Sequence, residues 1–159
     1  MLRSVLSPDT CADCRNCCIF EVQSAWELPT FSAEAVALLQ DPEAYEINKE
    51  GARYRITLPY DGTGAAQRCP FLDPQSGCTL PASAKPFACS LWPVRLMRDA
   101  DGRPAPAVYQ GCPGMPDSAI TALKALLRSG LLSRALAEAE LDPSLILPYH
   151  PNYRFLFDI

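Results

Sequence analysis

The sequence predicts an α+β fold: a small antiparallel sheet and irregular loops around a cysteine-bound metal centre, with helices toward the C-terminal end. Short segments typical of strands occupy the first two thirds of the chain, all eight cysteines lie in residues 11–112, and a helical apolar pattern begins at residue 117. A chain of 159 residues, of which 48% are hydrophobic, is long enough for one domain with a core. We therefore expect a single metal-binding domain over residues 1–159, with the cysteine cluster in 11–112 and the helical part in 117–159.

The sequence before residue 60 predicts two strands and one helix. Residues 19–23 alternate apolar and polar side chains, which indicates a strand. Ser32 is suited to cap a helix over residues 33–40, which should end before Pro42 because proline disfavours helical backbone in the preceding residue. Residues 53–58 alternate strictly and are rich in residues that favour strands, so we expect a second strand there.

A small hairpin is predicted next, followed by a helical turn. Residues 73–76 have the composition of a turn, and they separate residues 69–72 from residues 77–80, each of which carries one cysteine. Residues 85–90 form a candidate helical turn, since Pro86 suits the first position of a helix. This segment carries a further cysteine.

Two more strands are predicted at residues 94–98 and 105–109, on either side of a turn at residues 99–102. Pro106 has no N–H group to donate to a neighbouring strand, so we expect its strand at the edge of the sheet. Together with the earlier strands, they make up the small sheet expected around the metal centre.

The C-terminal part of the sequence predicts a pair of helices. A helix capped by Asp117 should run through residue 128, with its leucines and isoleucine on one broad apolar face. Gly130 suits the C-terminal cap of that helix, and residues 131–140 continue as a second helix. The tail, residues 148–159, is aromatic and contains proline, so we expect it to dock on the core.

The spacing of the cysteines predicts a metal site. Four thiols lie within eight residues in a C-x2-C-x2-C-C run, and two of the later cysteines are followed directly by proline. A C-x2-C-x2-C run with a distant Cys-Pro is typical of bacterial iron–sulfur clusters, whereas C-x2-C alone is equally typical of zinc. The predicted metal ligands are Cys11, Cys14, Cys17, Cys18, Cys69, Cys78, Cys89 and Cys112.

The adjacent cysteines Cys17 and Cys18 indicate how these ligands could be divided. Side chains of neighbouring residues point in different directions in regular helices and strands, so we expect the two sulfurs to enter two different sites. In this interpretation Cys17 joins Cys11 and Cys14, and Cys18 joins Cys78 and Cys89, with one Cys-Pro thiol completing each site. Alternatives that stay open are a buried thiol at Cys18, a redox-active thiol pair, and four disulfides.

Charge and hydropathy exclude several classes of partner. The net charge is −4 and the pI is about 4.9, and the basic residues are scattered, so we expect neither nucleic acid nor an anionic membrane as a partner. No apolar run is long enough to span a bilayer, and the apolar stretch within residues 1–10 is too short for an export signal. We therefore expect a cytoplasmic protein, where thiols stay reduced, that works with an unidentified protein or redox partner.

The run from Cys11 to Cys18 resembles the signature of the cysteine-cluster family that is named for its C-x-x-C-x-x-C-C motif and described as a zinc- or iron-chelating domain. A second signature of this family is similar to residues 69–72, Cys78 and residues 85–93. The resemblance covers residues 11–112 and does not extend to the C-terminal helices. It implies that the cysteines bind a metal.

The chain departs from the family pattern in the second signature. Lys85 and Ser90 stand where the family has arginines, Trp92 replaces a phenylalanine or tyrosine, and the spacing from Cys78 to Cys89 is one residue longer. Lysine does not reproduce the fork of arginine, so an anion-binding role is not implied here. The larger flagellin lysine N-methylase, an S-adenosylmethionine-dependent enzyme, is similar in its cysteine domain, and methyl transfer is implied by that resemblance alone.

Two functions from different classes are therefore expected. The first is an iron–sulfur protein that transfers electrons or serves as the cluster module of a modifying enzyme, which could transfer methyl groups. The alternative is a zinc-binding structural module that recruits a protein partner. The sequence leaves open whether the protein is an enzyme, and it indicates no catalytic residue.

Overall fold

A computed structural model describes residue 2, residues 4–6, residue 10 and residues 13–157. Its helices and small sheets confirm the predicted α+β class, although one sheet contains a parallel pair of strands. The chain divides into two compact units, one of residues 15–89 and one that combines residues 1–14 with residues 90–159. The expectation that residues 1–159 act as one metal-binding domain stays a prediction.

The 15–89 unit is built from three two-stranded antiparallel ladders. The ladders pair β1 with β4, β2 with β3, and β5 with β6. The strands are β1 (Ile19–Phe20), β2 (Glu46–Glu50), β3 (Arg53–Thr57), β4 (Gln67–Arg68), β5 (Leu72–Asp73) and β6 (Gly77–Cys78). The helices are α1 (Ala33–Val36) and the first part of α2 (Phe87–Leu91), which ends two residues past this unit. The 3₁₀ turns are Asn16–Cys18, Val22–Glu27 and Pro42–Ala44.

The local signals predicted several of these elements and missed others. The strand expected at residues 19–23 ends at Phe20, before the 3₁₀ turn Val22–Glu27, and β4 was not predicted. The hydroxyl of Ser32 accepts the N–H of Ala35 at 3.1 Å, as expected of an N-cap, although the helix ends at Val36 and is shorter than predicted. The turn at residues 73–76 and the strand at 53–57 lie where the sequence placed them. The sequence reading missed β2, whose side chains are charged and mostly exposed.

A small apolar core holds the 15–89 unit together. Phe31 is buried and its ring centroid lies 5.2 Å from that of Phe71, while its backbone exchanges two hydrogen bonds with Tyr54 at 2.8 and 2.9 Å. Cys69 packs against this core. The core residues are Phe20, Leu28, Phe31, Ala35, Ile56, Leu58, Phe71, Leu80 and Ala84.

The second unit contains a four-stranded sheet in the order β10-β8-β7-β9. Its strands are β7 (Val94–Arg98), β8 (Pro104–Tyr109), β9 (Ile146–Leu147) and β10 (Tyr153–Phe155); β7 pairs antiparallel with β8 and parallel with β9. The aromatic tail docks as predicted, because β10 pairs with β8 and Tyr153 is buried.

The prediction that Pro106 marks an edge strand is wrong, since β8 lies between β10 and β7. The carbonyl of Pro106 accepts the N–H of Leu156 at 2.9 Å, on the side of β10. The N–H and C=O of one residue point to the same side of an antiparallel strand, so the missing proline donor also faces that side. Opposite Pro106, β10 has already ended at Phe155, and no hydrogen bond between β8 and β7 is lost.

The C-terminal helices of this unit follow the predicted pattern. Helix α3 (Ile120–Leu126) and helix α4 (Leu132–Leu141) are joined by a wide π-turn at Leu127–Leu131, in which Gly130 has a φ of 123°. Two short 3₁₀ turns, Asp117–Ala119 and Pro143–Leu145, flank the pair. Asp117 is the first residue of its turn and the N-cap is Pro116, so the predicted cap is off by one residue.

Within the described residues, no helix combines the length and the apolar composition needed to cross a membrane.

Candidate metal centre

Cys17 and Cys18 lie in a single 3₁₀ turn, Asn16–Cys18, with their sulfur atoms 3.8 Å apart. The turn follows Arg15, which adopts left-handed backbone with a φ of 50°, and it is closed by the N–H of Cys18, which donates to the carbonyl of Arg15 at 2.9 Å. Both thiols are half-buried. The turn therefore presents two neighbouring sulfurs as a pair.

This arrangement differs from the expectation that the two side chains diverge toward separate sites. That expectation applied the periodicity of long helices and strands to a turn of three residues. The left-handed Arg15 and the strand that starts at Ile19 instead bend the chain on both sides of the pair. One metal ion can take both sulfurs from this turn.

Cys69 is held opposite Cys18 by the ladder between β1 and β4. The register pairs Ile19 with Arg68 and Phe20 with Gln67, and the N–H of Cys69 donates to the carbonyl of Cys18 at 2.8 Å, which continues the ladder by one pair. Side chains directly opposite each other on antiparallel strands lie on the same face. The thiols of Cys18 and Cys69 therefore share a face of this ladder.

The segment after Cys69 carries the next cysteine on a hairpin. The N–H of Leu72 donates to the carbonyl of Cys69 at 2.9 Å, and β5 then pairs with β6, in which Cys78 lies opposite Leu72. Cys78 is exposed, whereas Cys69 is half-buried. The hairpin thus places one thiol near the core of the unit and one toward solvent.

Electrostatic interactions of Cys18 and Cys69 connect them with three other thiols of the 15–89 unit. The pKa of Cys18 is raised far above its ordinary value, first by its hydrogen bond with Cys17, then by burial, and then by the charges of Cys17, Cys69 and Cys89. Burial, opposed by a backbone hydrogen bond from Phe71, raises the pKa of Cys69 to about 12 with further contributions from Cys89, Cys78 and Cys17. A metal cation reverses this effect, because it stabilises the thiolates that repel one another without it.

A hydrogen bond of Arg15 connects the turn that carries Cys17 and Cys18 with the β5–β6 hairpin. Its guanidinium donates to the carbonyl of Pro74, in the turn between β5 and β6. Asp73 in that turn accepts the N–H groups of Ser76 and Gln75 and the Ser76 hydroxyl, which lower the pKa of Asp73, and the charge of Arg15 lowers it further. The sequence did not predict this contact, since no pattern around Arg15 indicates that Pro74 is its partner.

The remaining predicted ligands are not part of the described 15–89 unit. Cys14 and Cys112 belong to the second unit, where both are half-buried, and the N–H of Met115 donates to the carbonyl of Cys112 at 3.1 Å. Cys11 lies outside the described residues. The described cysteines are present as thiols.

The thiols of the 15–89 unit fit a soft metal by their chemistry and, in one pair, by their geometry. Thiolate sulfur suits zinc and iron–sulfur clusters. Sulfurs bound about 2.3 Å from a tetrahedral ion lie about 3.8 Å from one another, which matches the separation of the Cys17 and Cys18 sulfurs. In the part of the chain that the structure describes, no group of three or more His, Cys, Asp or Glu side chains is arranged to hold a metal ion.

Comparisons with family models, curated proteins and solved structures found no match. The resemblance of residues 11–18 to the C-x-x-C-x-x-C-C family therefore stays a prediction.

Proposed function

We propose that the 15–89 unit is a metal-binding module in which Cys17 and Cys18 bind the same metal ion. The observation that supports this proposal is the 3.8 Å separation of their sulfur atoms. Two ligands of one tetrahedral ion require this spacing, and the short turn that carries them provides it.

Cys69 and Cys89 complete the proposed ligand set. Both are half-buried, both act electrostatically on Cys18, and Cys69 shares a ladder face with it. In this proposal their sulfurs join those of Cys17 and Cys18 as the four ligands. Cys78, which is exposed, is the fifth thiol and is not required in this set.

An iron–sulfur cluster is the metal group that we favour. Thiolate sulfur is a soft donor that suits such clusters, and the proposed set supplies four thiolates. In a [2Fe–2S] cluster held by four cysteines, each iron takes two of them, so Cys17 and Cys18 would bind one iron and Cys69 and Cys89 the other. In a [4Fe–4S] cluster each iron takes one cysteine, which suits sulfurs that are farther apart than this pair.

Electron transfer with a protein redox partner is the role that follows from such a site. When bound, the cluster accepts and donates single electrons. Four thiolates leave no position for substrate, and closed sites are usually structural or electron-transferring. A role as the cluster module of a modifying enzyme, including methyl transfer, is implied by the family resemblance. The reducing cytoplasm is the compartment in which these thiols would stay available.

Zinc is the second candidate, because the 3.8 Å pair fits one tetrahedral zinc ion equally well. Four thiolates around zinc would make a closed structural site. In this case the module would support the fold and recruit a protein partner.

Metal analysis with an absorption spectrum, on protein purified without oxygen, tests these proposals. Iron with acid-labile sulfide and a visible charge-transfer band is the expected result. Stoichiometric zinc in a colourless protein would support the second candidate. Protein that holds neither metal, and takes up neither on anaerobic reconstitution, would overturn both.

A further inference from the structure

We propose that Cys17 and Cys18 also form a reversible two-electron redox site, in which a hydroperoxide converts the two thiols into a disulfide. The consequence for metal binding, release of the ion that both sulfurs hold, rests on the function proposed above. The disulfide itself does not, because it needs only the two thiols.

The geometry of the turn places the pair close to bond formation. The two sulfur atoms lie 3.8 Å apart and both side chains are half-buried, so a small oxidant can reach them. A disulfide bond is about 2.05 Å long, so the sulfurs must approach by about 1.8 Å, which side-chain rotation can supply.

Two backbone hydrogen bonds hold Cys18 in place. Its N–H donates to the carbonyl of Arg15 and its carbonyl accepts from Cys69, at 2.9 and 2.8 Å. Cys17 lies inside the same turn. Closure of the disulfide therefore takes place within one turn.

A hydroperoxide is the oxidant, and the disulfide forms in two steps. The thiolate sulfur of Cys17 attacks one peroxide oxygen, the O–O bond breaks, and Cys17 becomes a sulfenic acid while hydroxide or alkoxide leaves. The thiol sulfur of Cys18 then displaces the sulfenic oxygen, which takes the Cys18 proton and leaves as water. Two electrons pass from the two sulfurs to the peroxide.

The adjacency of the two residues makes this disulfide easy to reduce. Their Cα atoms are about 3.8 Å apart across one trans peptide, whereas disulfides usually join Cα atoms about 4.4–6.8 Å apart. The ring that closes is therefore strained, and strained disulfides are the labile ones. A dithiol should reopen it and restore the pair.

Cys69 is the competing partner for Cys18. Residues that lie opposite each other on antiparallel strands have Cα atoms about 4.5–5.5 Å apart, within the usual disulfide range. A disulfide between Cys18 and Cys69 would leave Cys17 as a thiol, which would contradict the proposed site. The product of oxidation thus decides between the two.

Peptide mapping identifies the product directly. The reduced full chain is treated with hydrogen peroxide, remaining thiols are alkylated, and the protein is digested with trypsin. Cleavage after Arg15 and Lys49 yields a peptide that contains only Cys17 and Cys18, whereas Cys69 falls in a different peptide because Arg68 precedes it. We expect this first peptide to lack two hydrogens and to carry no alkyl group.

Two further samples complete the test. Cys78→Ser, which removes the exposed thiol outside the pair, should give the same modified peptide. Dithiothreitol should return alkylation to both cysteines. A cross-linked peptide that joins Cys18 to Cys69, alkylation of both cysteines after peroxide, or a product that dithiothreitol does not reverse would each overturn the proposal.

Metal-free and metal-loaded protein are treated in parallel, so that the two proposals fail separately. If no metal can be loaded, the proposed function fails while the peptide map still tests the dithiol site. With metal present, we expect its release, followed with a chromogenic chelator, to rise in proportion to the disulfide. Disulfide formation with the metal fully retained would show that the pair does not hold the ion.

Discussion

The backbone N–H of Cys69 donates to the carbonyl oxygen of Cys18 at 2.8 Å, so two cysteines that are far apart in sequence lie opposite each other across one antiparallel ladder. Phe20, two residues after Cys18, is buried in the core of the same unit, and Cys69 packs against that core. Cys18 and Cys69 are therefore both connected to the hydrophobic core of the unit. This connection holds their backbones in a defined position.

The cysteines of the 15–89 unit should differ in their effect on metal binding. Cys69→Ser removes a half-buried proposed ligand, and we expect metal affinity to fall by more than the roughly 10- to 100-fold typical of losing an outer-shell partner. Cys78→Ser removes the exposed thiol and should leave affinity and stoichiometry unchanged. Competition with a chelator of known affinity measures both variants.

Circular dichroism of the two metal-free variants provides the control for folding. Equal losses of metal from correctly folded Cys69→Ser and Cys78→Ser protein would show that the exposed thiol is also a ligand. The proposed set of four would then be wrong.

Arg15 should position the cysteine turn through its guanidinium. Arg15→Gly keeps the left-handed backbone available, because glycine adopts positive φ without strain, but removes the hydrogen bond to Pro74. We expect metal affinity to fall about 10- to 100-fold, as for other groups that orient ligands. The same chelator competition measures the effect.

Arg68→Gln is the matched control, since Arg68 is an exposed arginine beside Cys69 and the substitution removes the same charge. Its affinity should stay close to that of the unaltered protein. A similar fall in both variants would mean that general positive charge matters, and that the contact with Pro74 does not.

Local signals predicted the elements that depend on neighbours in sequence. The cap at Ser32, the turn at residues 73–76 and the positive φ of Gly130 each follow from the side chains at those positions. The misses have two different causes. The mostly charged strand Glu46–Glu50 carries no apolar alternation, although its partner Arg53–Thr57 follows after two residues, whereas the central position of β8 follows from a distant tail that pairs with it.

The candidate metal centre also combines features that local sequence predicts with features that it does not. Spacing alone singled out the cysteines as candidate ligands, because four thiols within eight residues are typical of metal sites. The proximity of the Cys17 and Cys18 sulfurs depends on the left-handed backbone of Arg15, and the position of Cys69 depends on a ladder between remote segments. Neither can be read from spacing.

Asp99 should make the second unit more stable above its pKa than below it. Burial raises the pKa of this carboxylate, but hydrogen bonds from the backbone and side chain of Arg103 and from the backbone of Asp101 outweigh burial, so its pKa lies below the ordinary value. A lowered carboxylate pKa stabilises the fold at pH values above about 4, and this contribution is lost as the pH falls through the folded-state pKa.

Asp99→Asn should therefore be less stable than the unaltered protein near neutral pH, and the difference should shrink as the pH falls below about 4. Urea denaturation at a series of pH values measures the difference in the free energy of unfolding. Asp101→Asn is the control, because this neighbouring carboxylate is largely exposed and should show a smaller change. A difference between Asp99→Asn and the unaltered protein that stays constant with pH would contradict the assignment.

Gly111 should be intolerant of even one added carbon. A Cβ atom at this position would lie 2.8 Å from the hydroxyl oxygen of Tyr109 and 2.9 Å from two of its ring carbons. The Tyr109 ring cannot easily move away, since its centroid lies 5.2 Å from that of Trp92 and 5.4 Å from that of Tyr153. We expect Gly111→Ala to lower the free energy of unfolding by about 1–3 kcal/mol, the usual cost of overpacking.

A double-mutant cycle separates this clash from a backbone effect. Tyr109→Leu removes the atoms that the new Cβ would meet, so Gly111→Ala should cost much less in that background than alone. Urea denaturation of the four proteins in the cycle gives the coupling free energy. If alanine costs the same with and without the tyrosine ring, the backbone at Gly111 is responsible, and the packing of Tyr109 against it contributes nothing to the requirement for glycine.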